Sequence, residues 1–255
     1  MSTTRENGSL YTSIQNKIAT IEFGHPASNS FPSELLERLQ KEFQKLSENE
    51  EVHVIILKSE GEKAFCAGAS FDELVVIENL EQGKQFFSGF ANVINAMRTC
   101  KKLIIGRVQG KTVGGGVGLA AACDYTLATE AAAIKLSELT IGIGPFVIAP
   151  AVERKMGLAA LSELSLAAHE WKNAYWAQEK GLYAKVFESI SDLDKEVGFL
   201  AEKIASYNPQ ASQKMKSILW ENTAHWDKLL IDRAAVSGEL VLSKFTKSSL
   251  EKFKK

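Results

Sequence analysis

The sequence predicts an α/β fold with parallel strands, followed by a helical region toward the C-terminus. Two runs of β-branched and aliphatic residues, VHVIILKSE from Val52 and KKLIIGRVQG from Lys101, have the continuous apolar character of strands that are buried on both faces. Segments with helical periodicity separate and follow these runs, and short strands followed by helices recur through about residue 190. This alternation is typical of the α/β class.

The remaining segments of the first part of the chain fit the same class. Residues 10–23 alternate apolar and polar side chains around Gln-Asn-Lys, which predicts a β-hairpin. Apolar residues at helical spacing predict a helix from residue 33, with Ser33 as the N-cap. A second helix is predicted over residues 86–98. The segment GGGVGLAAACD, residues 114–124, indicates a turn that leads into a helix of small residues, and residues 125–136 indicate further strands.

The composition changes after Asp192, where three segments with helical periodicity follow one another. We therefore predict a core over residues 1–195 and a helical C-terminal region over residues 196–255. Trp220, Trp226 and their aliphatic neighbours are more apolar surface than three short helices can bury by themselves. The region is expected to pack on the core or on a neighbouring subunit.

Charge and hydropathy limit the kinds of partner. The 255 residues include 30 basic and 31 acidic side chains, a net charge of −1, which gives no electrostatic reason to expect a nucleic acid or an anionic membrane as partner. No apolar run approaches the 18 residues typical of a membrane span, and the N-terminus is polar. A cytoplasmic protein is the expectation.

The cysteines do not suggest a metal site or a disulfide framework. Cys66, Cys100 and Cys123 are widely spaced, form no CxxC pair and have no histidine nearby. No metal ligand is predicted.

Two nucleotide-binding motifs are only approximated. GRVQGKT, residues 106–112, has three residues between its glycines where a Walker A loop needs four, which changes the backbone N–H groups that meet the phosphates. Residues 116–121 fit GxGxxA, but they lie far from the N-terminus, and no acidic residue closes a clear second strand about 20 residues later. Because the GxGxxA pattern itself is present, a nucleotide-dependent dehydrogenase stays a competing hypothesis.

A third interpretation of the glycine run concerns negative charge. A strand that ends near Val108, then Gly114-Gly115-Gly116, then an alanine-rich helix exposes backbone N–H groups at a helix N-terminus, where a developing anion is stabilised. The alternative is that the glycines only allow the helix to pack closely on the strand.

Three separated motifs give the sequence a specific resemblance. KAFCAGAS (residues 63–70), GGGVGLAAACD (114–124) and KLSELTIGIGP (135–145) occur in the order and at the spacing found in the crotonase superfamily of enoyl-CoA hydratases and isomerases. The resemblance covers about residues 12–245. It implies a spiral of repeated ββα units, an acyl-CoA thioester substrate, and no separate cofactor because CoA enters as part of the substrate. It also implies that the C-terminal helices form a homotrimer or a hexamer built as a dimer of trimers.

The resemblance also implies roles for individual residues. In the family, two backbone N–H groups hold the thioester oxygen as an enolate forms, and these match Ala69 and Gly115. Such donors stabilise charge that is present only in the transition state. The surrounding substrate-binding positions match Ala64, Cys66, Ala67, Gly68, Gly114 and Gly118. Cys66 is expected to be a packing residue rather than a nucleophile.

The carboxylates of the family are only partly present. The second family glutamate matches Glu138, whose apolar neighbours predict burial and a raised pKa suited to acid/base catalysis. The first family glutamate is replaced by Gly118, and Phe146 occupies the position where dienoyl-CoA isomerases use an aspartate. Glu138-Leu-Thr-Ile-Gly-Ile-Gly-Pro-Phe146 is similar to a segment of some Δ3,Δ2-enoyl-CoA isomerases that lack the first glutamate.

These residues favour double-bond isomerisation through a single glutamate. Enoyl-CoA hydratase, including the methylglutaconyl-CoA hydratase type, and a catalytically weak acyl-CoA-binding homologue are the alternatives. Asp72, Glu73 and Glu78 are expected to be solvated rather than to replace the missing carboxylate. Asp124 is expected to anchor a turn.

Overall fold

The computed structural model describes residues 7–252. Residues 1–6 of the polar N-terminus and residues 253–255 of the charged tail lie outside the described residues. The strands in the described part of the chain are β1 Ser9–Gln15, β2 Ile18–Gly24, β3 Val54–Ser59, β4 Ala64–Cys66, β5 Leu103–Val108, β6 Lys111–Val113, β7 Tyr125–Thr129, β8 Ile134–Lys135 and β9 Lys185–Phe187. The helices are α1 Ser33–Glu48, α2 Phe71–Val75, α3 Leu80–Thr99, α4 Gly115–Ala122, α5 Ala149–Met156, α6 Leu158–Leu166, α7 Ala174–Glu179, α8 Ile190–Ser206, α9 Pro209–Leu219, α10 Trp226–Leu240 and α11 Lys244–Glu251, with a short 3₁₀ helix over Glu138–Ile141.

The strands form two sheets that are linked by a repeated unit. A six-stranded sheet has the order β1-β2-β3-β5-β7-β9, and a three-stranded sheet has the order β4-β6-β8. All pairs are parallel except the β1–β2 hairpin. The chain passes from a strand of the large sheet to a strand of the small sheet and then into a helix. This occurs three times, which confirms the predicted α/β spiral of ββα units.

The predicted hairpin and the buried strands are confirmed. Asn16 and Lys17 both have positive φ angles, 51° and 67°, as a two-residue hairpin turn requires. On β3, Ile55 packs in the main core, whereas Val54 packs with residues of α8 on the opposite face of the sheet. The central strands are therefore covered on both faces, which accounts for their continuous apolar sequence.

The start of α1 differs from the prediction. Pro32, not Ser33, occupies the N-cap position, and Ser33 is the first helical residue. The carboxylate of Glu73 accepts hydrogen bonds from the Ser33 N–H, at 2.9 Å, and from the Ser33 hydroxyl, at 2.5 Å. A side chain that is distant in sequence thus binds the free N–H group at the helix start, and a local pattern cannot indicate it.

The C-terminal helices continue from the core. Helix α8 spans Ile190–Ser206, so the predicted division between residues 195 and 196 falls inside a helix, and the two-part organisation stays a prediction. Trp220 and Trp226 are buried in the main core, with ring centroids 5.9 Å apart. The C-terminal region therefore packs on the core of its own chain, which is one of the two packing partners predicted for it. The last of the three segments with helical periodicity, residues 225–245, was predicted as one helix and is divided between α10 and α11.

Within residues 7–252, no helix has both the length and the apolar character needed to cross a bilayer. The cytoplasmic location stays a prediction from the sequence.

Candidate active site

A cavity of about 220 Å³ lies beside the ends of β4 and β6. The segment after β4, the start of α4 and the 3₁₀ helix line one part of it, and residues of α3, α10 and the segment 143–148 line the rest. Among the predicted site residues, those that line the cavity are Ala67, Gly68, Ala69, Gly114, Gly115 and Glu138. Ala64, Cys66 and Gly118 are not among the lining residues. The fold therefore brings together three segments that are more than 20 residues apart in sequence.

The backbone at Ala69 leaves its N–H group available. Phe31 and Ala69 form an isolated parallel bridge, in which the Phe31 N–H donates to the Gly68 carbonyl at 2.8 Å and the Ser70 N–H donates to the Phe31 carbonyl at 2.9 Å. In such a bridge the N–H of the bridged residue points away from the partner strand. No hydrogen bond from the Ala69 N–H to a described residue is found. Ala69 lines the cavity, so its N–H group is available as a donor there.

Gly115 contributes a second donor for a different reason. It is the first residue of α4, and the first N–H groups of a helix have no partner within the helix. Gly114, at the N-cap, has no side chain that could accept from them. The helix dipole adds partial positive charge at the same place. Ala69 and Gly115 thus line one cavity, and neither N–H group has a hydrogen-bond partner among the described residues. That both donate to an oxyanion stays a prediction.

Each glycine of the run is required by its surroundings. Gly114 has a φ of +53°, and a Cβ there would lie 2.9 Å from Oε1 of Glu138. A Cβ on Gly115 would lie 2.3 Å from Cζ of Phe90, and one on Gly116 would lie 2.7 Å from Cβ of Cys66. The glycines therefore allow close packing, as one hypothesis held, and also keep the helix start open toward the cavity.

Glu138 is the carboxyl group of the cavity. Glu138 as a whole is partly exposed, but its carboxyl oxygen Oε2 is buried and has no hydrogen-bond partner among the described residues. Burial disfavours the charged carboxylate and raises the pKa of Glu138 to about 7, although its own backbone N–H opposes the shift. A carboxyl group with this pKa can both accept and return a proton near neutral pH.

The space beside Gly118 is occupied by an apolar side chain. A Cβ on Gly118 would lie 2.4 Å from Cγ2 and 2.7 Å from Cβ of Ile148. Ile148 lines the cavity, whereas Gly118 lies behind it. Ile148, which follows Gly118 by 30 residues, therefore packs against Gly118 and forms the cavity wall beside it.

Cys66 is buried at the end of β4. Its thiol accepts a hydrogen bond from the Gly68 N–H at 3.3 Å, and burial raises the pKa of this thiol to about 12. The neutral thiol is a poor nucleophile, in line with the packing role expected of it. The Ala64 carbonyl accepts from the side-chain amides of Asn29, at 2.9 Å, and Gln109, at 3.0 Å. Contacts of Ala64 and Cys66 with substrate stay predictions.

The other acidic residues considered from the sequence are not among the residues that line the cavity. Asp72 and Glu78 are exposed, whereas Glu73, expected to be solvated, binds the start of α1. Asp124 does more than anchor a turn: it accepts from the ammonium group of Lys216 at 2.7 Å, from the indole N–H of Trp220 at 2.8 Å, and from the Ile104 N–H at 2.7 Å. Helix α9 is thereby attached to the sheet.

Several cavity residues could not be identified from the sequence. Phe86, Phe87 and Phe90 of α3 and Ser237 of α10 line the cavity, and their helical periodicity indicated only a buried face. In residues 7–252, no group of three or more His, Cys, Asp and Glu side chains is arranged to hold a metal ion.

Comparison with known proteins identifies the family. Residues 13–252 match the family described as enoyl-CoA hydratase/isomerase, so the chain belongs to this crotonase family of enzymes. It is 31% identical, over 70% of this chain and 68% of the relative, to a peroxisomal Δ(3,5)-Δ(2,4)-dienoyl-CoA isomerase of Arabidopsis thaliana. It is 30% identical, over 80% of this chain and 78% of the relative, to a short-chain-enoyl-CoA hydratase of Clostridium acetobutylicum. A crystal structure of an enoyl-CoA hydratase from Bacillus halodurans superposes with a TM-score of 0.88 at 20% identity and covers 95% of this chain and 99% of that one, which supports the fold.

Proposed function

We propose that the protein shifts the double bond of an enoyl-CoA thioester, with Glu138 as the single proton carrier. The observation that carries this proposal is that the cavity wall has one carboxyl group, that of Glu138, and the apolar side chain of Ile148 beside Gly118. By the resemblance to the family, the side chain of Ile148 fills the space in which a second carboxyl group would lie. One carboxylate is sufficient for moving a proton between two carbons, whereas the addition of water in this family uses two.

The reaction balances with these groups alone. The thioester oxygen of a 3-enoyl-CoA accepts hydrogen bonds from the N–H groups of Ala69 and Gly115. The Glu138 carboxylate removes a proton from C2, and the C–H electron pair moves into the thioester to give an enolate. The protonated Glu138 then donates the proton to C4 while the double bond moves to C2–C3. The two N–H donors lower the energy of the enolate.

The remaining substrate contacts are proposed on the same basis. Ala67, Gly68 and Gly114 border the thioester, and Ala64 and Cys66 belong to the segment proposed to contact the adenine of CoA. Exposed apolar residues on the C-terminal helices, including Phe199, Ile218 and Phe245, support association of subunits. A homotrimer or a dimer of trimers is proposed from the resemblance to the family. No further cofactor is proposed.

A direct test compares two reactions of the purified protein. With 3-enoyl-CoA and 2-enoyl-CoA of equal chain length, kcat/KM for double-bond shift is expected to exceed that for hydration by at least about tenfold, because a general base contributes about 10²–10⁴-fold and only one is present. Faster hydration would establish the hydratase alternative. Binding of both thioesters without turnover would establish an acyl-CoA-binding homologue, and stabilisation by NAD in a melting experiment would point to a dehydrogenase.

Restoring the missing carboxylate is expected to require space as well as charge. Gly118→Glu alone should lower stability by about 1–3 kcal/mol through overpacking against Ile148, and should add no hydration. The double variant Gly118→Glu/Ile148→Ala is expected to gain hydration of 2-enoyl-CoA. Its control is Gly118→Ala/Ile148→Ala, which opens the same wall without adding a carboxylate. Equal hydration by the two double variants would show that a carboxylate at this position is not what the hydratase reaction lacks.

A further inference from the structure

Ser237 is a buried polar side chain in the wall of the same cavity. It lies on α10, is 1% exposed, and lines the cavity. The hydroxyls of Ser88 and Ser217, also on helices, donate to the carbonyl four residues earlier. In residues 7–252, no such bond or any other is formed by the Ser237 hydroxyl. The hydroxyl is therefore available at the cavity wall, where a hydrogen-bonding group of a ligand can pair with it.

The crossing of α3 and α10 places Ser237 away from the thioester. At one end of this part of α3, Phe90 touches Gly115. Seven residues earlier on α3, Gly83 packs against α10 so closely that a Cβ on Gly83 would lie 2.7 Å from Cα of Gly238. Seven helical residues span about 10 Å. The contact with Gly115 and the contact beside Ser237, the neighbour of Gly238, are therefore about two helical turns apart along α3.

The cavity wall along this part of α3 is apolar. Phe86 and Phe87 lie between Gly83 and Phe90 on the helix and line the cavity, and the lining residues Phe71, Leu74 and Ile143 belong to the same apolar cluster. The polar side chains among all the lining residues are Ser137, Glu138 and Ser237, and Ser137 directly precedes the proposed catalytic group. An acyl chain that extends from the thioester thus meets hydrocarbon walls first and one hydroxyl group afterwards.

We infer that Ser237 hydrogen-bonds an oxygen atom in the distal part of the acyl group, so that the substrate class is an acyl-CoA carrying a hydroxyl or carbonyl on its chain. This inference rests on the proposed acyl-CoA function of the cavity. An extended chain advances about 1.2 Å per bond, so about 10 Å corresponds to about eight bonds from the thioester carbon. A hydrocarbon chain would leave the hydroxyl unpaired, and a site built to pair an oxygen discriminates against the analogue that lacks it.

The test measures binding of two saturated thioesters, which have no double bond to shift. Calorimetry with octanoyl-CoA and 8-hydroxyoctanoyl-CoA is expected to show about 5- to 10-fold tighter binding of the hydroxylated compound, the range of one satisfied hydrogen bond. In Ser237→Ala this ratio of dissociation constants is expected to fall to one or reverse. Ser237→Cys, which is close in size and a weaker donor, should give an intermediate ratio.

Two controls define the outcome. Ser88→Ala removes a helical serine hydroxyl that lies outside the cavity and should keep the wild-type ratio. 4-Hydroxyoctanoyl-CoA should show no preference that depends on Ser237. A wild-type ratio of one, or an unchanged ratio in Ser237→Ala, would overturn the inference and would mean that the hydroxyl binds at most a water molecule.

The result is separable from that of the proposed function. If the protein does not isomerise 3-enoyl-CoA but the ratio depends on Ser237, the isomerase proposal fails and the inference about the acyl group stands. If isomerisation is found and the ratio is one, only the inference about Ser237 fails. If neither thioester binds, both fail.

Discussion

Replacing Glu138 with glutamine is expected to lower the rate of the double-bond shift by about 10²–10⁴-fold, the usual contribution of a positioned general base. Glutamine keeps the size of the side chain but cannot accept the proton from C2. Glu202→Gln, an exposed glutamate on α8, is the matched control and should keep wild-type turnover. Full activity of Glu138→Gln, measured with 3-enoyl-CoA, would place the acid/base group elsewhere in the cavity.

The raised pKa of Glu138 predicts how activity depends on pH. The carboxylate is the form that removes the proton, and the pKa is about 7 in the folded protein. The kcat/KM for isomerisation is therefore expected to fall about tenfold per pH unit below about pH 7 and to level off above it. A profile that is flat down to pH 5 would contradict the assignment.

The same pKa shift affects stability with a definite sign. The folded protein holds the Glu138 proton up to about pH 7, whereas the unfolded chain releases it near 4.5, the ordinary value. The stabilisation by this proton is complete below about pH 4.5 and is lost as the pH rises to about 7. Glu138→Gln lacks the buried charge and should be more stable than the wild type at pH 8 by up to about 3 kcal/mol. This difference should close by pH 4.5 in denaturation experiments.

Asp124→Ala is expected to lower the free energy of unfolding by about 3–5 kcal/mol, since the variant leaves the Lys216 ammonium group buried without its partner. The side chains of Asp124 and Lys216 are 4% and 3% exposed, and Trp220 and Ile104 lose their acceptor as well. Urea denaturation at a fixed protein concentration measures the change, because association of subunits would also affect stability.

Two further variants show whether burial causes this effect. Asp232→Ala breaks an ion pair with Lys228 in which both side chains are mostly exposed, and it should cost less than about 1 kcal/mol. Asp124→Asn keeps a hydrogen-bonding group and should fall between Asp124→Ala and the wild type, which keeps the test informative if the alanine variant does not fold. Equal losses in the free energy of unfolding for Asp124→Ala and Asp232→Ala would show that the buried ion pair contributes no more to stability than the exposed one.

Local patterns predicted most of the fold. The apolar run of β3 indicated burial on both faces, and α8 and the main core do cover them. The positions of Asn16 and Lys17 indicated the hairpin turn. These predictions succeed because side-chain periodicity and turn conformation depend on residues that are close in sequence. The N-cap of α1 was predicted wrongly, because Glu73, 40 residues away, binds Ser33.

For the site, the sequence by itself determined the motifs: the glycine run, the segment around Ala69, and a glutamate in apolar surroundings. Through the resemblance to the family, it also indicated that Gly118 stands where a hydratase keeps a carboxylate. Only the tertiary structure decided that Ile148 packs against Gly118, that the N–H groups of Ala69 and Gly115 have no hydrogen-bond partner among residues 7–252, and that Ser237 reaches the cavity. The physical reason is that these properties depend on contacts between distant segments. A helix crossing as close as that of Gly83 and Gly238 is set by the packing of the whole chain, and no local pattern contains it.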